Sequence, residues 1–521
     1  MDLLVDSPEK YELRQAPTSR LLLILTSISL GLIAIPLIYL VRRAVESELS
    51  ALRILLIRPK TAEILVTTIG LTVLVSIIST ILGLTLAWIL HNVALPYPNL
   101  SRALIVLPIA IPSYVFTYTW MSLSTSITGF AAATFILVLS TTPFVSLATL
   151  AALRRIDGSQ HEVAQTLGLN AWATFLRITL PQIRNSVAAG ALLVALYVLS
   201  DFGAVSLLGV DTLTRSISNI YRGSFDRSSA AVLALVLVMI SAVIILAESR
   251  FRIDNHALRA KSRSISSVQP TNNRLTRALS IALVSSYVSL GLIVPLATLL
   301  VRFVNVASRT DVFALLSSSL ATIYAASLGA LIALFIALPL GILSAQGSKI
   351  ANASDRGVLL VHALPGIVMG LSLVAFGSEI PWLYQTLGLL AFAYAVLFTA
   401  KSVGAVRSSL MQVPKNLVEI SSTLGQRKSQ TLRRVVLPLS APGIMTGSLL
   451  VFLAAMKELP ATLMLRPNGF DTLATEMWRY TSISKYSEAA PYALFLVLIA
   501  ALPTFFITRP DKREMREGDL S

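Results

Sequence analysis

Long apolar runs separated by short polar stretches set the pattern of this chain. A helix needs about 20 apolar residues to cross a bilayer. On that measure the runs at about 21–41, 62–90, 103–122, 129–153, 185–209 and 229–249 read as six spans. Six more follow at about 278–301, 318–345, 357–377, 386–408, 442–463 and 489–508. Between the two sets lies a polar stretch, residues 250–277, with seven Arg or Lys and a Pro270-Thr271-Asn272-Asn273 turn signal. It reads as a solvated linker lying near anionic lipid headgroups. Kinks are expected where proline falls inside a span, as at Pro108, Pro112 and Pro339. A membrane tolerates them when neighbouring helices or water satisfy the freed carbonyls.

Composition agrees with this pattern. Hydrophobic residues make up 55% of the chain and charged residues 13%, against about 25% charged in soluble domains. The expected fold is an all-α integral membrane protein with about twelve spans. The net charge of +16 is confined to loops. In such a chain it reports topology rather than nucleic-acid binding, and no aromatic-basic platform for bases is present. The chain has no cysteine and four scattered histidines, which excludes disulfides, thiolate metal sites and cysteine nucleophiles and leaves no metal site to name. The first twenty residues mix acids and bases and do not read as a cleavable signal, so the run from Leu21 is expected to stay as an anchor. With both termini inside, the inner segments hold 28 basic residues and the outer loops 13, as the positive-inside rule requires. The loop 42–60 runs against the bias, but the basic stretches 250–277 and 401–434 outweigh it.

Two polar loops match each other. The first reads Glu162-Val163-Ala164, then Gly168, then Leu180-Pro181; the second reads Glu419-Ile420-Ser421, then Gly425, then Leu437-Pro438. The copies lie 257 residues apart with the same internal spacing. Ile156, Val163 and Leu167 correspond to Val413, Ile420 and Leu424, one face of a short helix. Asp157-Gly158-Ser159 and Pro414 precede those helices as starting signals. Gly168 and Gly425 suit a left-handed turn. A second helix is expected to follow, closed by Pro181 and Pro438 before the next span. By periodicity alone, each loop is an ordered helical hairpin.

This spacing resembles the cytoplasmic "EAA" loop of ABC-transporter permeases, which in that family docks as a coupling helix on an ATPase subunit. The resemblance implies a type I importer permease of two fused six-helix halves. The halves would be 1–249 and 278–521, with coupling loops at about 156–181 and 413–438. It implies coupling roles for Glu162, Ala164, Gly168, Pro181, Glu419, Gly425 and Pro438. The second copy departs from the family at Ile420-Ser421, where small residues are common. The implied partners are an ATPase in two copies, a substrate-binding protein and membrane lipid, in a bacterial inner membrane. ATP would be used by the partner, with no tightly bound cofactor. No P-loop spacing occurs in the chain, so it is not itself the ATPase.

Two further stretches, Ser200-Asp201-Phe202-Gly203 and Met456-Lys457-Glu458-Leu459-Pro460, closely resemble the fused permeases of ferric-iron importers. Related permeases serve thiamine, phosphonates and polyamines. Asp201 and Glu458 are each 39 residues beyond the loop glutamate, hence equivalent. Two readings stay open. They line the path of a hard cation that suits oxygen ligands, or they cap local helix breaks, with Lys457 neutralising Glu458. A major-facilitator transporter, also built from parallel repeats, is a second class. It usually carries a basic loop after its second span, whereas 91–102 here holds a single Arg. A polytopic membrane enzyme would need clustered catalytic groups, and the sequence offers none.

Overall fold

The computed structural model describes residues 19–46, 55, 57–156, 164, 166–223, 227–253, 273–426 and 428–508. The first half contributes α1 (Arg20–Val45), α2 (Pro59–Asn92), α3 (Pro98–Ala110), α4 (Ser113–Leu123), α5 (Gly129–Leu153) and α6 (Phe175–Ser200). It continues with α7 (Gly203–Leu207), α8 (Leu213–Gly223) and α9 (Arg227–Ile253). The second half contributes α10 (Arg274–Arg309), α11 (Val312–Ala345), α12 (Ile350–His362), α13 (Gly366–Ser378) and α14 (Leu387–Met411). After these come α15 (Lys415–Thr423), α16 (Leu432–Met456), α17 (Pro460–Leu465), α18 (Leu473–Ser482) and α19 (Tyr486–Thr508).

Among the described residues nine helices are long and apolar enough to span a bilayer. The count rises to eleven if α3 with α4 and α12 with α13 are each one broken span, bent by 93° and 96°. Tyr486–Ala501, a shorter apolar stretch, stands where the twelfth span was expected. Both bends have the same cause. Pro112 and Pro365 are the N-caps of α4 and α13. A residue before proline is pushed out of the helical region, and Ile111 is extended at φ −88°, ψ 118°. The kink expected near Pro108 and Pro112 is therefore a full break. Pro339, by contrast, lies inside an α11 that runs without interruption.

Two expected spans are displaced. The runs near 185–209 and 442–463 begin earlier, at Phe175 and Leu432, and stop at Ser200 and Met456. Pro181 and Pro438 do not close the preceding helix, as the sequence suggested. Each follows a π-turn, Phe175–Thr179 or Leu432–Val436, in which the Leu180 or Leu437 N–H reaches the carbonyl five residues back. Proline lacks an N–H and collides with the carbonyl four residues back in a regular α-helix. The wider turn absorbs one residue and lets the helix continue. The same device, Ser289–Ile293, precedes Pro295 in α10.

The chain forms two compact units: residues 1–42 with 321–470, and residues 43–320 with 471–521. These are not the repeat halves 1–249 and 278–521. In the first unit α1 lies on second-half helices: Tyr39 stacks edge-on to Phe376 at 5.1 Å, and its hydroxyl donates to Glu379 at 2.9 Å. In the second, Tyr287 of α10 donates to the Leu139 carbonyl at 2.9 Å, and Tyr118 donates to the Tyr486 carbonyl at 2.6 Å. Hydropathy identifies spans but not which of them pack together.

Small residues set the closest helix approaches, as is usual where lipid supplies no hydrophobic drive. A Cβ on Gly83 would lie 2.7 Å from Val145 Cβ, and one on Gly341 2.7 Å from Val406 Cβ. Ser79 of α2 and Thr141 of α5 share a buried hydrogen bond of 2.9 Å.

Candidate functional site

The two signature loops have closely matched geometry. Gly168 and Gly425 have φ of +81° and +75°, the left-handed conformation that L side chains avoid. Each ends a helical turn with a six-to-one hydrogen bond: Leu169 N–H to Ala164 O at 3.1 Å, and Gln426 N–H to Ser421 O at 3.2 Å. This is the Schellman arrangement, which satisfies carbonyls that a helix end would leave bare. Asn170 then caps the next turn by accepting from the Ala173 N–H at 2.8 Å. In the second loop Pro414 stands at the N-cap of α15.

The departure at Ser421 has a structural explanation. Ala164 and Ser421 are both buried. The Ser421 hydroxyl shares a hydrogen bond of 2.9 Å with Thr431, so the extra polar atom is paired within the loop. The faces turned outward are apolar: Leu167 and Leu424 are 76% and 74% exposed, and Leu417 and Ile420 are exposed beside the latter. Glu419 is exposed on α15, and Pro181 and Pro438 are exposed at the membrane entry of α6 and α16. Glu162, Val163 and the Asp157-Gly158-Ser159 start lie outside the described residues, as do most of the linker 250–277 and the ends 1–18 and 509–521.

The paired carboxylates sit at equivalent helix breaks. Asp201 is extended at the end of α6, and its Oδ1 accepts from the Ala204 and Val205 N–H groups at 3.0 and 3.2 Å. Ser113, the first residue of α4, donates its hydroxyl to Oδ2. Thr214 donates to the Asp201 carbonyl at 2.6 Å. Asp201 is 7% exposed, with both carboxylate oxygens engaged. The group therefore joins the starts of two helices, where backbone N–H groups and the helix dipole favour negative charge.

Glu458 repeats the arrangement with different side chains. Its Oε1 accepts from the Ala461 N–H at 3.0 Å, and its carbonyl accepts from Thr462 at 2.7 Å. Thr462 in turn pairs with Tyr394 of α14 at 2.6 Å. The residue at the start of α13 that corresponds to Ser113 is Gly366, where any Cβ would collide with Glu458 Oε1. The longer carboxylate thus takes the space of the absent side chain. Glu458 remains half-buried rather than buried.

Two lysines surround this second site. Lys457 ends α16 beside Glu458. The sequence reading put Lys401 both at the inner part of the span 386–408 and in the basic stretch 401–434; α14 runs on to Met411 and holds it within the helix. Lys401 acts electrostatically on both Glu458 and Lys457. Lys401 lies 5.0 Å over the Phe398 ring.

Among the described residues no group of three or more His, Asp or Glu is placed to hold a metal ion. Comparison with known proteins bears on what the arrangement serves. Residues 79–252 and 337–510 each match the family described as binding-protein-dependent transport system inner membrane component. The chain is 33% identical over 495 residues to the Fe(3+)-transport system permease protein FbpB 2 of Haemophilus influenzae, covering 94% of this chain and 98% of that protein. It is 31% identical over 155 residues to the putative 2-aminoethylphosphonate transport system permease PhnV of Salmonella typhimurium, covering 30% of this chain and 58% of that protein. It is 25% identical over 210 residues to the sulfate permease CysT of Escherichia coli, covering 34% and 72%.

Proposed function

The chain belongs to the binding-protein-dependent transport system inner membrane components, and from that premise we propose that it forms the membrane path for ferric iron. It is a multi-pass permease subunit with two copies of the family's domain. The observation that carries the iron reading is the match to an Fe(3+)-transport permease along nearly the full length of both chains. Phosphonate import is the second reading, favoured by the partial match to a putative phosphonate permease.

The energy comes from a separate ATPase, since the chain has no phosphate-cradling loop. Two ATPase copies dock on the signature loops through the exposed apolar faces around Leu167 and Leu424. Ala164 packs inside its loop, Gly168 and Gly425 turn the chain, and Pro181 and Pro438 fix where the loop meets the span. Glu162 and Glu419 complete the docking surface. Both loops and both termini face the cytoplasm, in line with the basic bias. A binding protein delivers iron from the outer side. Of the two carboxylates, Asp201 holds the break in its span together. Glu458, less buried and less bonded, faces the path. A path ligand has to bind weakly enough to let go.

Uptake into vesicles containing the permease, its ATPase and its binding protein tests this reading. ATP-dependent, vanadate-sensitive accumulation of ferric iron, and not of thiamine or phosphonate, is expected. Uptake that ignores vanadate and follows an ion gradient would point instead to a secondary transporter.

A further inference from the structure

The face of α14 that carries Lys401 separates the two halves chemically. In the interior of this span the exposed positions are Lys401, Gly404 and Ser408, one stripe at helical spacing. Lys401 lies about 20 Å from one end of α14 and about 15 Å from the other, at 1.5 Å per residue. The lysine is thus at least two turns from either end of the helix. A lipid-facing stripe would be apolar, and a lysine that far inside a span and facing lipid is costly. A Cβ on Gly404 would meet nothing within 4 Å. A stripe of this kind suits water better than lipid. The same register on α5 holds the half-buried Phe144 and the exposed Leu147 and Ala151, which carry no charge.

Tyr394 fixes the neighbourhood of Lys401. It sits two turns earlier on α14 and is tied through Thr462 to the segment that carries Glu458. That link brings the exposed Lys401 into the neighbourhood of the half-buried Lys457 and Glu458, two cationic groups against one anionic group. A bare trivalent cation would meet net repulsion there, whereas an anionic oxygen ligand would be held by ammonium donors.

We propose that Lys401, with Lys457, forms an anion-binding site in the membrane path, so that ferric iron crosses together with an anionic oxygen ligand and not as the bare ion. The proposal rests on the ferric-iron reading for its cargo, but the site itself rests on the stripe. Ferric iron is a hard cation that prefers oxygen donors, and a paired oxyanion lowers the charge carried past the two lysines. Glu458 then meets the metal side of the complex and the lysines its anion.

The test uses vesicles with the complete importer and a carbonate-free buffer containing radiolabelled inorganic phosphate and radiolabelled ferric iron. ATP-driven entry of both labels together is expected in the native complex. Lys401→Met should lower both roughly tenfold or more per assembled complex, as loss of a charged hydrogen bond does. Lys401→Arg should retain most of the activity, and Phe144→Met, at the matching place on α5, should leave the ratio of the labels unchanged. ATPase retained on the purified Lys401→Met complex reports assembly. Should that variant not assemble, the Lys401→Arg and Lys457→Met complexes carry the same readout. Iron entering without phosphate, or an unchanged Lys401→Met complex, would overturn the site. Phosphate entering without iron would keep the site and overturn the iron reading. No entry of either label into native vesicles would overturn both.

Discussion

The Ser113 hydroxyl donates to the Asp201 carboxylate across 88 positions of sequence, joining the start of α4 to the break after α6. Two spans that proline and a helix end have interrupted are thereby held at one point. Because Asp201 also accepts from Ala204 and Val205, Asp201→Ala removes a cap and strands two N–H groups and a hydroxyl. A loss of about 1–3 kcal/mol is expected, seen as a lower melting temperature of the purified permease. Asn is as good a cap as Asp, so Asp201→Asn should stay close to the native melting temperature. A full-sized loss in Asp201→Asn would mean that the charge, not the cap, holds the break.

Glu458 should behave differently. Its side chain makes one backbone hydrogen bond and stays half-buried. Glu458→Gln keeps size and one acceptor, so assembly is expected to persist while iron turnover per complex falls severalfold. Adding Asp201→Asn to it should change turnover little further. Normal turnover in the double variant would remove the path role from Glu458.

The loop glycines carry a prediction about coupling. At φ of +81° and +75° a side chain costs about 1–2 kcal/mol in backbone strain alone. Open space surrounds both positions, so the strain, and not a clash within the permease, is what a substitution introduces. Gly168→Leu with Gly425→Leu should leave the permease in the membrane but separate ATP hydrolysis from uptake. Iron uptake per ATP hydrolysed measures this. An unchanged ratio in the double variant would refute the coupling assignment.

Much of this was legible in the sequence, and the parts that were not share a cause. Apolar length located the spans, and the repeat of Glu, Gly and Pro at fixed spacing located the loops, because both are local properties. The left-handed turns followed from glycine itself. The α1 contacts with Glu379 and Phe376 were not legible, since hydropathy carries no partner information. Pro181 and Pro438 misled because proline usually ends a helix, and a π-turn cancels that effect without a sequence mark of its own. The Ser113 and Gly366 partners of the carboxylates were hidden for a third reason. The break segments align 253 residues apart and the carboxylates 257, so one fixed offset does not pair both.

The π-turns themselves can be tested. If Pro181 and Pro438 force them, replacing either proline by Ala restores an N–H that can donate to Arg177 or Arg434, four residues back. The ladder should then revert to regular α-helix, rotating the loop by about 100° relative to its span. Spin labels placed on the loop and on the span should report a changed separation, and uptake per ATP should fall. An unchanged separation in Pro181→Ala would show that the loop's own packing, not the proline, sets the turn.

The exchange of Ser113 and Asp201 for Gly366 and Glu458 makes a quantitative prediction. Gly366→Ser alone inserts a side chain where Glu458 Oε1 and Pro460 already lie, the latter 3.0 Å from the new Cβ. Overpacking of that kind costs about 1–3 kcal/mol. Glu458→Asp alone withdraws the carboxylate by one methylene and leaves a gap beside Gly366, at a cost of about 1 kcal/mol. Together the two changes rebuild the first-half pair, with a serine hydroxyl able to donate to a shorter carboxylate that still caps the following helix. The double variant should therefore be more stable than the sum of the single losses by about 1 kcal/mol or more. Melting temperatures of the four purified permeases give the cycle. Additivity within about 0.5 kcal/mol, the range expected of independent sites, would show that Gly366 and Glu458 are neighbours without being partners.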